Sequence, residues 1–195
     1  MKTQRLALIF GALALVAAAL LYLRSGYGGL RILSSPSAIV HEIQKLNELV
    51  TVKYSVQKVV GLEEQKLPFG TEKLLLIVQA KVLGGIDLQQ MREGDVIAQP
   101  QGGFIVRLPR PAILHVIIDE KETKVWDRQV TWWTPWVPYN NDLERKARLT
   151  AIEEVKQSAM QMGVLEDAQR QAEAVIRNLL GAFGVKQKIT FRSTS

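Results

Sequence analysis

The stretch Val50-Thr51-Val52-Lys53-Tyr54-Ser55-Val56-Gln57 alternates with a period of two. Val50, Val52, Tyr54 and Val56 share one side, and Thr51, Lys53, Ser55 and Gln57 share the other. Successive side chains of an extended chain point to opposite faces, so the pattern predicts a half-buried strand. Residues 73–83 form a second, mostly apolar strand that Gly84-Gly85 is expected to end. Residues 96–98 and 104–108 flank the turn Gln99-Pro100-Gln101-Gly102-Gly103 and read as a hairpin. Residues 113–118 and 123–126, joined by the charged turn Asp119-Glu120-Lys121-Glu122, read as another. Hairpins that follow one another without long helices between them imply an antiparallel sheet.

Helical periods flank this region. Ser35 followed by Pro36 is a helix-start pairing, and Ile39, Ile43 and Leu46 then recur at intervals of 4 and 3. After the sheet, Asn141 with Glu144 resembles a capping box, and Leu149, Ile152, Val155, Ala159 and Met162 lead up to Gly163. A second long helix is expected over residues 165–183, with Leu165, Ala168, Ala172, Val175, Leu179 and Phe183 on one face and Gly184 as its stop. Residues 185–191 read as a strand returning to the sheet. The expectation is an α+β domain over residues 36–192, an antiparallel sheet with two long C-terminal helices, and a tail at 193–195.

Towards the N terminus the character changes. Residues 6–23, LALIFGALALVAAALLYL, are 18 consecutive uncharged positions. As a helix they would extend about 27 Å, close to the hydrocarbon thickness of a bilayer. A cleaved secretory signal is the competing reading, because Ala17, Ala18 and Ala19 offer a small-residue site after Lys2 and Arg5. The apolar run begins at Leu6 and continues through Leu20, Leu21, Tyr22 and Leu23, where a signal turns polar, so an uncleaved transmembrane anchor is expected. Residues 1–5 are assigned to the cytoplasm and residues 24–35 to a juxtamembrane linker, which places the domain on the extracytoplasmic side. Lys2 and Arg5 against Arg24 and Arg31 make a thin charge bias, and the inverted topology stays open.

Composition narrows the function. The 195 residues are 47% apolar and 23% charged, a globular balance, and the chain has no cysteine, which excludes disulfides, thiol catalysis and cysteine-ligated metals. Of 25 lysines and arginines, four lie in residues 1–31, where no acid occurs, leaving 21 basic against 19 acidic residues in the remainder. A near-neutral folded part carries no electrostatic footprint for nucleic acid.

The chain resembles the membrane-anchored domain of unknown function 4230 family. The resemblance is carried by residues 73–81 running into Gly85-Ile86-Asp87-Leu88, by Leu108-Pro109-Arg110-Pro111, Ile113-Leu114, Ile118-Asp119 and Thr123-Lys124-Val125 with Asp127, and by the ending through Gly163-Val164-Leu165. It covers roughly residues 38–192. It implies a single-anchor protein with one extra-membrane domain and carries over no catalytic residue.

Residues suited to chemistry are sparse. His41 and His115 are the only histidines, and Asp119 is four positions from His115 along a strand, about 13 Å away, so the two make no dyad within it. Both histidines read as surface or satisfied groups. Asp87, Asp95, Asp119 and Asp127 fall near strand ends or turns, where carboxylates accept backbone N–H bonds; a hard-cation site is the minor alternative. Phosphate-loop, nucleophile-elbow and zinc-protease signatures are missing, which sets the expectation against an enzyme. No catalytic, cofactor-binding or metal-ligating residue is assigned.

All four tryptophans, Trp126, Trp132, Trp133 and Trp136, cluster with Tyr139 and are interrupted by Pro135 and Pro138. Indoles bury large areas, and they also favour membrane interfaces and binding hot spots. A loop pinned by its own aromatics is the bland reading. Trp132, Trp133, Trp136 and Tyr139 are the candidate interaction residues. The functional expectation is a single-pass membrane-anchored protein with a non-catalytic interaction or scaffold domain. Its partners would be the bilayer, through residues 6–23, and a membrane or periplasmic protein. The alternative is a small-ligand-binding or enzymatic domain with a pocket between sheet and helices.

Overall fold

Strands β1 (Glu48–Gln65) and β2 (Thr71–Asp87) pair antiparallel over almost their whole length, from Glu48 opposite Asp87 to Gln65 opposite Thr71. The computed structural model describes residues 35–66, 70–131 and 139–193. The expected anchor at residues 6–23, residues 1–5, residues 24–34 of the linker and Trp132, Trp133 and Trp136 lie outside them. Among the described residues no helix is long and apolar enough to cross a membrane.

Even positions of β2 face the interior: Leu74, Leu76, Val78, Ala80 and Val82 have no exposure. Its odd positions face outward. β1 is much longer than the alternation at residues 50–57 predicts. Val59-Val60, Gly61 and Glu63-Glu64 blur the pattern, yet Val60 remains buried against β2. The glycine pair does not end β2. Gly84 and Gly85 lie inside the strand, because a Cβ on Gly85 would stand 2.2 Å from the Leu49 carbonyl oxygen where β1 bulges between Val50 and Val52. These glycines serve close backbone approach rather than a turn.

Strands β3 (Val96–Ala98) and β4 (Phe104–Leu108) form the expected hairpin, with Gly102 and Gly103 at positive φ in its turn. Strands β5 (Ala112–Ile118) and β6 (Lys124–Val130) are not a hairpin. They run in the same direction, end to end, along the second edge of β2, β5 against residues 80–85 and β6 against residues 72–77. The Asp119-Glu120-Lys121-Glu122 segment bulges out and rejoins: Asp119 donates its N–H to Gln79 O at 2.8 Å, and Thr123 Oγ1 accepts from Gln79 N at 3.3 Å. The main sheet is thus three strands wide, with β2 at its centre. Strand β7 (Ile189–Ser193) does return to a sheet, but to the small one, parallel to β4.

Helix α1 (Pro36–Gln44) starts as expected, with Ser35 Oγ accepting from Ala38 N, and buries Ile39, Val40 and Ile43 under β3, β4 and the helix following residue 163. Helices α2 (Asn141–Gln161) and α3 (Val164–Ala182) lie along the even face of the main sheet, joined at Gly163, whose φ is 85°. The cap of α2 is Asn140 rather than Asn141. Its buried face is Leu143, Ala147, Ala151, Val155 and Ala159, while Leu149 and Met162, expected inside, are exposed. α3 buries Val164, Ala168, Ala172, Ile176 and Leu180 and leaves Val175 exposed. Ala147, Ala151 and Ala159 let α2 come close to β2, whose own side chains then fill the space between. An antiparallel main sheet with two long C-terminal helices on one face makes an α+β fold.

Gly85→Ala is therefore expected to destabilise the chain by about 3 kcal/mol, since the obstruction is backbone. Gly181→Ala, in α3 with open space around it, should stabilise by about 0.5 kcal/mol. Denaturant unfolding midpoints of the two variants check both signs.

Candidate functional site

The aromatic segment is bounded by Thr131, at the end of β6, and Tyr139, just before α2. At this end of the main sheet the apolar even row of β2 is broken by Glu72, a carboxylate with no exposure. Its Oε2 lies 2.6 Å from Lys66 Nζ, and it accepts from the backbone N–H of Asn140 at 3.1 Å. Its Oε1 accepts from Arg128 Nε at 2.7 Å and lies 2.5 Å from Arg128 Nη2. Each cation comes from a different part of the sheet, Lys66 from the end of β1 and Arg128 from β6, where it stands opposite Leu74.

Asn140 ties this cluster to the helix. Its carbonyl accepts from Arg128 Nη2 at 2.9 Å, its Oδ1 accepts from Asp142 N at 2.9 Å as the cap of α2, and its Nδ2 donates to Glu64. Lys146, one turn into α2, reaches the other oxygen of Glu64 at 3.0 Å. Thr71 and Thr131 close the edge, with Thr131 N donating to Thr71 O and Thr71 N to Thr131 Oγ1, both at 3.0 Å. The Tyr139 ring stacks on the Arg128 guanidinium, 4.5 Å from its centroid.

Burial pushes the Glu72 carboxyl up, but Lys66, the Asn140 N–H and Arg128 overcome it and hold the group below the ordinary glutamate value. The hydrogen bonds from Asn140 and Lys146 likewise depress Glu64. Every oxygen of Glu72 is occupied by this chain's own donors. The cluster therefore acts as a clamp that fixes both ends of the aromatic segment to the sheet, and it leaves no free carboxylate for proton transfer.

Of the candidate interaction residues, Tyr139 is described and is 58% exposed. Trp126, at the register shift of β6 between Val125 and Asp127, is 65% exposed, with Lys124 Nζ 5.9 Å from its ring. His41 is exposed on α1. His115 is exposed beside Glu48, with Nε2 3.0 Å from Oε2. The acids do not converge. Asp87 caps Gln89 N, Asp95 accepts from Arg92 N, Asp119 accepts from Lys121 N and faces Lys81, and Asp127 accepts from Gln129 Nε2. Among the described residues no group of three His, Asp or Glu is placed to hold a metal ion. Surface grooves among the described residues include one of about 320 Å³ over Gly61 and one of about 480 Å³ between β5 and α2. The sequence reading missed Glu72, although an acid in register with Leu74, Leu76 and Val78 is a signal of a compensated buried charge.

These features define an α+β domain whose long antiparallel ribbon is buttressed by two successive helices and clamped at one end by side-chain ion pairs. The family model described as Protein of unknown function (DUF4230) matches residues 41–190, and the chain belongs to that family. No match is found among curated proteins or among solved structures.

Glu72→Ala leaves Lys66 and Arg128 facing each other without their anion and should cost about 4 kcal/mol at neutral pH. Because the folded carboxyl is depressed, its contribution is complete above the ordinary value of 4.5 and is lost as pH falls through the folded value. The stability gap between the natural chain and Glu72→Gln should therefore shrink below pH 4.5, as read from denaturant midpoints across an acid series.

Proposed function

We propose that the chain is a membrane-tethered, non-catalytic interaction protein. Residues 6–23 anchor it, the domain stands on the extracytoplasmic side, and the aromatic segment following β6 is its contact surface. The observation that carries this reading is the exposure of Trp126 and Tyr139, the two described aromatics of the cluster, which stand in solvent when large rings are normally buried. The clamp at Glu72 supports it by anchoring both ends of the segment, which reduces the ordering cost of a contact made there. The other reading, a small-ligand-binding or enzymatic domain with a pocket between sheet and helices, would be favoured by acids converging with His115, and the described residues do not bring these together. The acids are engaged at separate turns, and the groove beside His115 is lined by Ile113, Leu114, Val116, Ile117, Ile152 and Lys156 without a carboxylate.

Trp132→Ala with Trp133→Ala, in the full chain reconstituted in anionic vesicles, tests the proposal. Unfolding of the domain should shift by less than about 1 kcal/mol, as for surface substitutions. Quenching of the remaining indole fluorescence by lipids labelled at headgroup depth should fall. Intact mass of the membrane-extracted chain should include residues 6–23. A loss of several kcal/mol would place the indoles in the core and sink the interaction reading, and a mature chain starting near Leu20 would sink the anchor.

A further inference from the structure

Among the described residues β1 pairs with β2 along one edge and with no strand along the other. That open edge is 18 residues long, and long unpaired edges are templates for pairing. Lys66 N donates to Gly70 O at 2.8 Å, and ladder alternation from that pair turns the backbone of even residues of β1 towards β2. The N–H and C=O groups of odd residues, including Ser55, Gln57, Val59 and Gly61, point to the open edge.

Over residues 53–65 the charges of this strand are segregated, with Glu48 lying outside that span. Lys53 and Lys58 precede Val59, while Glu63 and Glu64 follow it. Glu63 pairs with Lys73 and Glu64 with Lys146, but neither Lys53 nor Lys58 has an ion-pair partner among the described residues. Val59, between the two halves, is 59% exposed. A span with a basic first half and an acidic second half complements a copy of itself when the two run antiparallel.

We propose that a second copy of this chain occupies the β1 edge, pairing antiparallel about a two-fold axis at Val59. Val59 then faces Val59 of the other copy, Gln57 faces Gly61, and Ser55 faces Glu63. Lys53 sits diagonal to Glu63 on the outward face, twice by symmetry, and Lys58 falls opposite Val60 with only its own symmetry copy as a like-charged diagonal neighbour, so no like charges stand directly opposite each other. Pairing over residues 53–65 spans about 44 Å. α2 lies over β1 and β2, so the axis brings the two copies of α2 to about 10 Å, an ordinary helix packing distance.

The absence of cysteine makes the test clean, since one introduced thiol reports one position. Across a hydrogen-bonded antiparallel pair the Cα atoms are about 5.5 Å apart, within disulfide reach. In membranes holding the full chain, mild oxidation of Val59→Cys should give a disulfide-linked dimer. Ile117→Cys, exposed on β5 at the far side of the same sheet, should not, which controls for crowding through the N-terminal segment. Lys53→Glu in the Val59→Cys background should lower the yield about fivefold, and adding Glu63→Lys should restore it. Equal yields at positions 59 and 117 would overturn the proposal. So would a charge reversal that leaves the yield unchanged, or a loss that the second reversal does not repair.

Discussion

The structure depends on β2 being satisfied on three sides at once. One edge is paired with β1, the other with β5 and β6 in succession, and the even face is covered by α2 and α3. A strand so enclosed has no place for an uncompensated polar group, which is why each departure from its apolar pattern has a specific partner. Glu72 is neutralised by Lys66 and Arg128, and Gly85 makes room for the Leu49 carbonyl. The helices follow from the same enclosure. Ala147, Ala151 and Ala159 sit where a larger side chain would push the helix away from β2.

Much of this was legible in the residues. The alternation at 50–57, the hairpin at Gly102-Gly103, the start of α1 at Ser35-Pro36 and the two C-terminal helices all stand where local pattern places them. Local pattern failed where a distant partner decides. Gly84-Gly85 reads as a stop because the approach of Leu49 is invisible along the chain. Asp119-Glu120-Lys121-Glu122 reads as a hairpin turn, yet its bonds to Gln79 carry the chain onward along the same edge. The buried faces of α2 and α3 were misjudged because large residues such as Leu149 and Val175 weigh more in a periodicity than alanines do, whereas packing against a sheet selects the small ones.

The candidate site was half legible. The aromatic cluster announces itself by composition, and Tyr139 stands exposed against Arg128. The clamp beneath it does not, since Lys66, Glu72, Arg128 and Asn140 are scattered over 75 positions and meet only when β1, β2, β6 and the start of α2 converge. The desolvation of Lys66, Glu72 and Arg128 offsets most of their attraction, so the cluster matters for where it holds the chain more than for net stability. The ends of the aromatic segment are held at one place on the sheet.

Native-state amide hydrogen exchange tests the central role of β2 most directly. If β2 is one enclosed unit, amides from Leu74 to Ile86 exchange together, with the free energy of global unfolding, in both the half paired with β6 and the half paired with β5. If the half opposite β6 exchanges orders of magnitude faster than the half opposite β5, the ribbon consists of two independent pieces and the account is wrong.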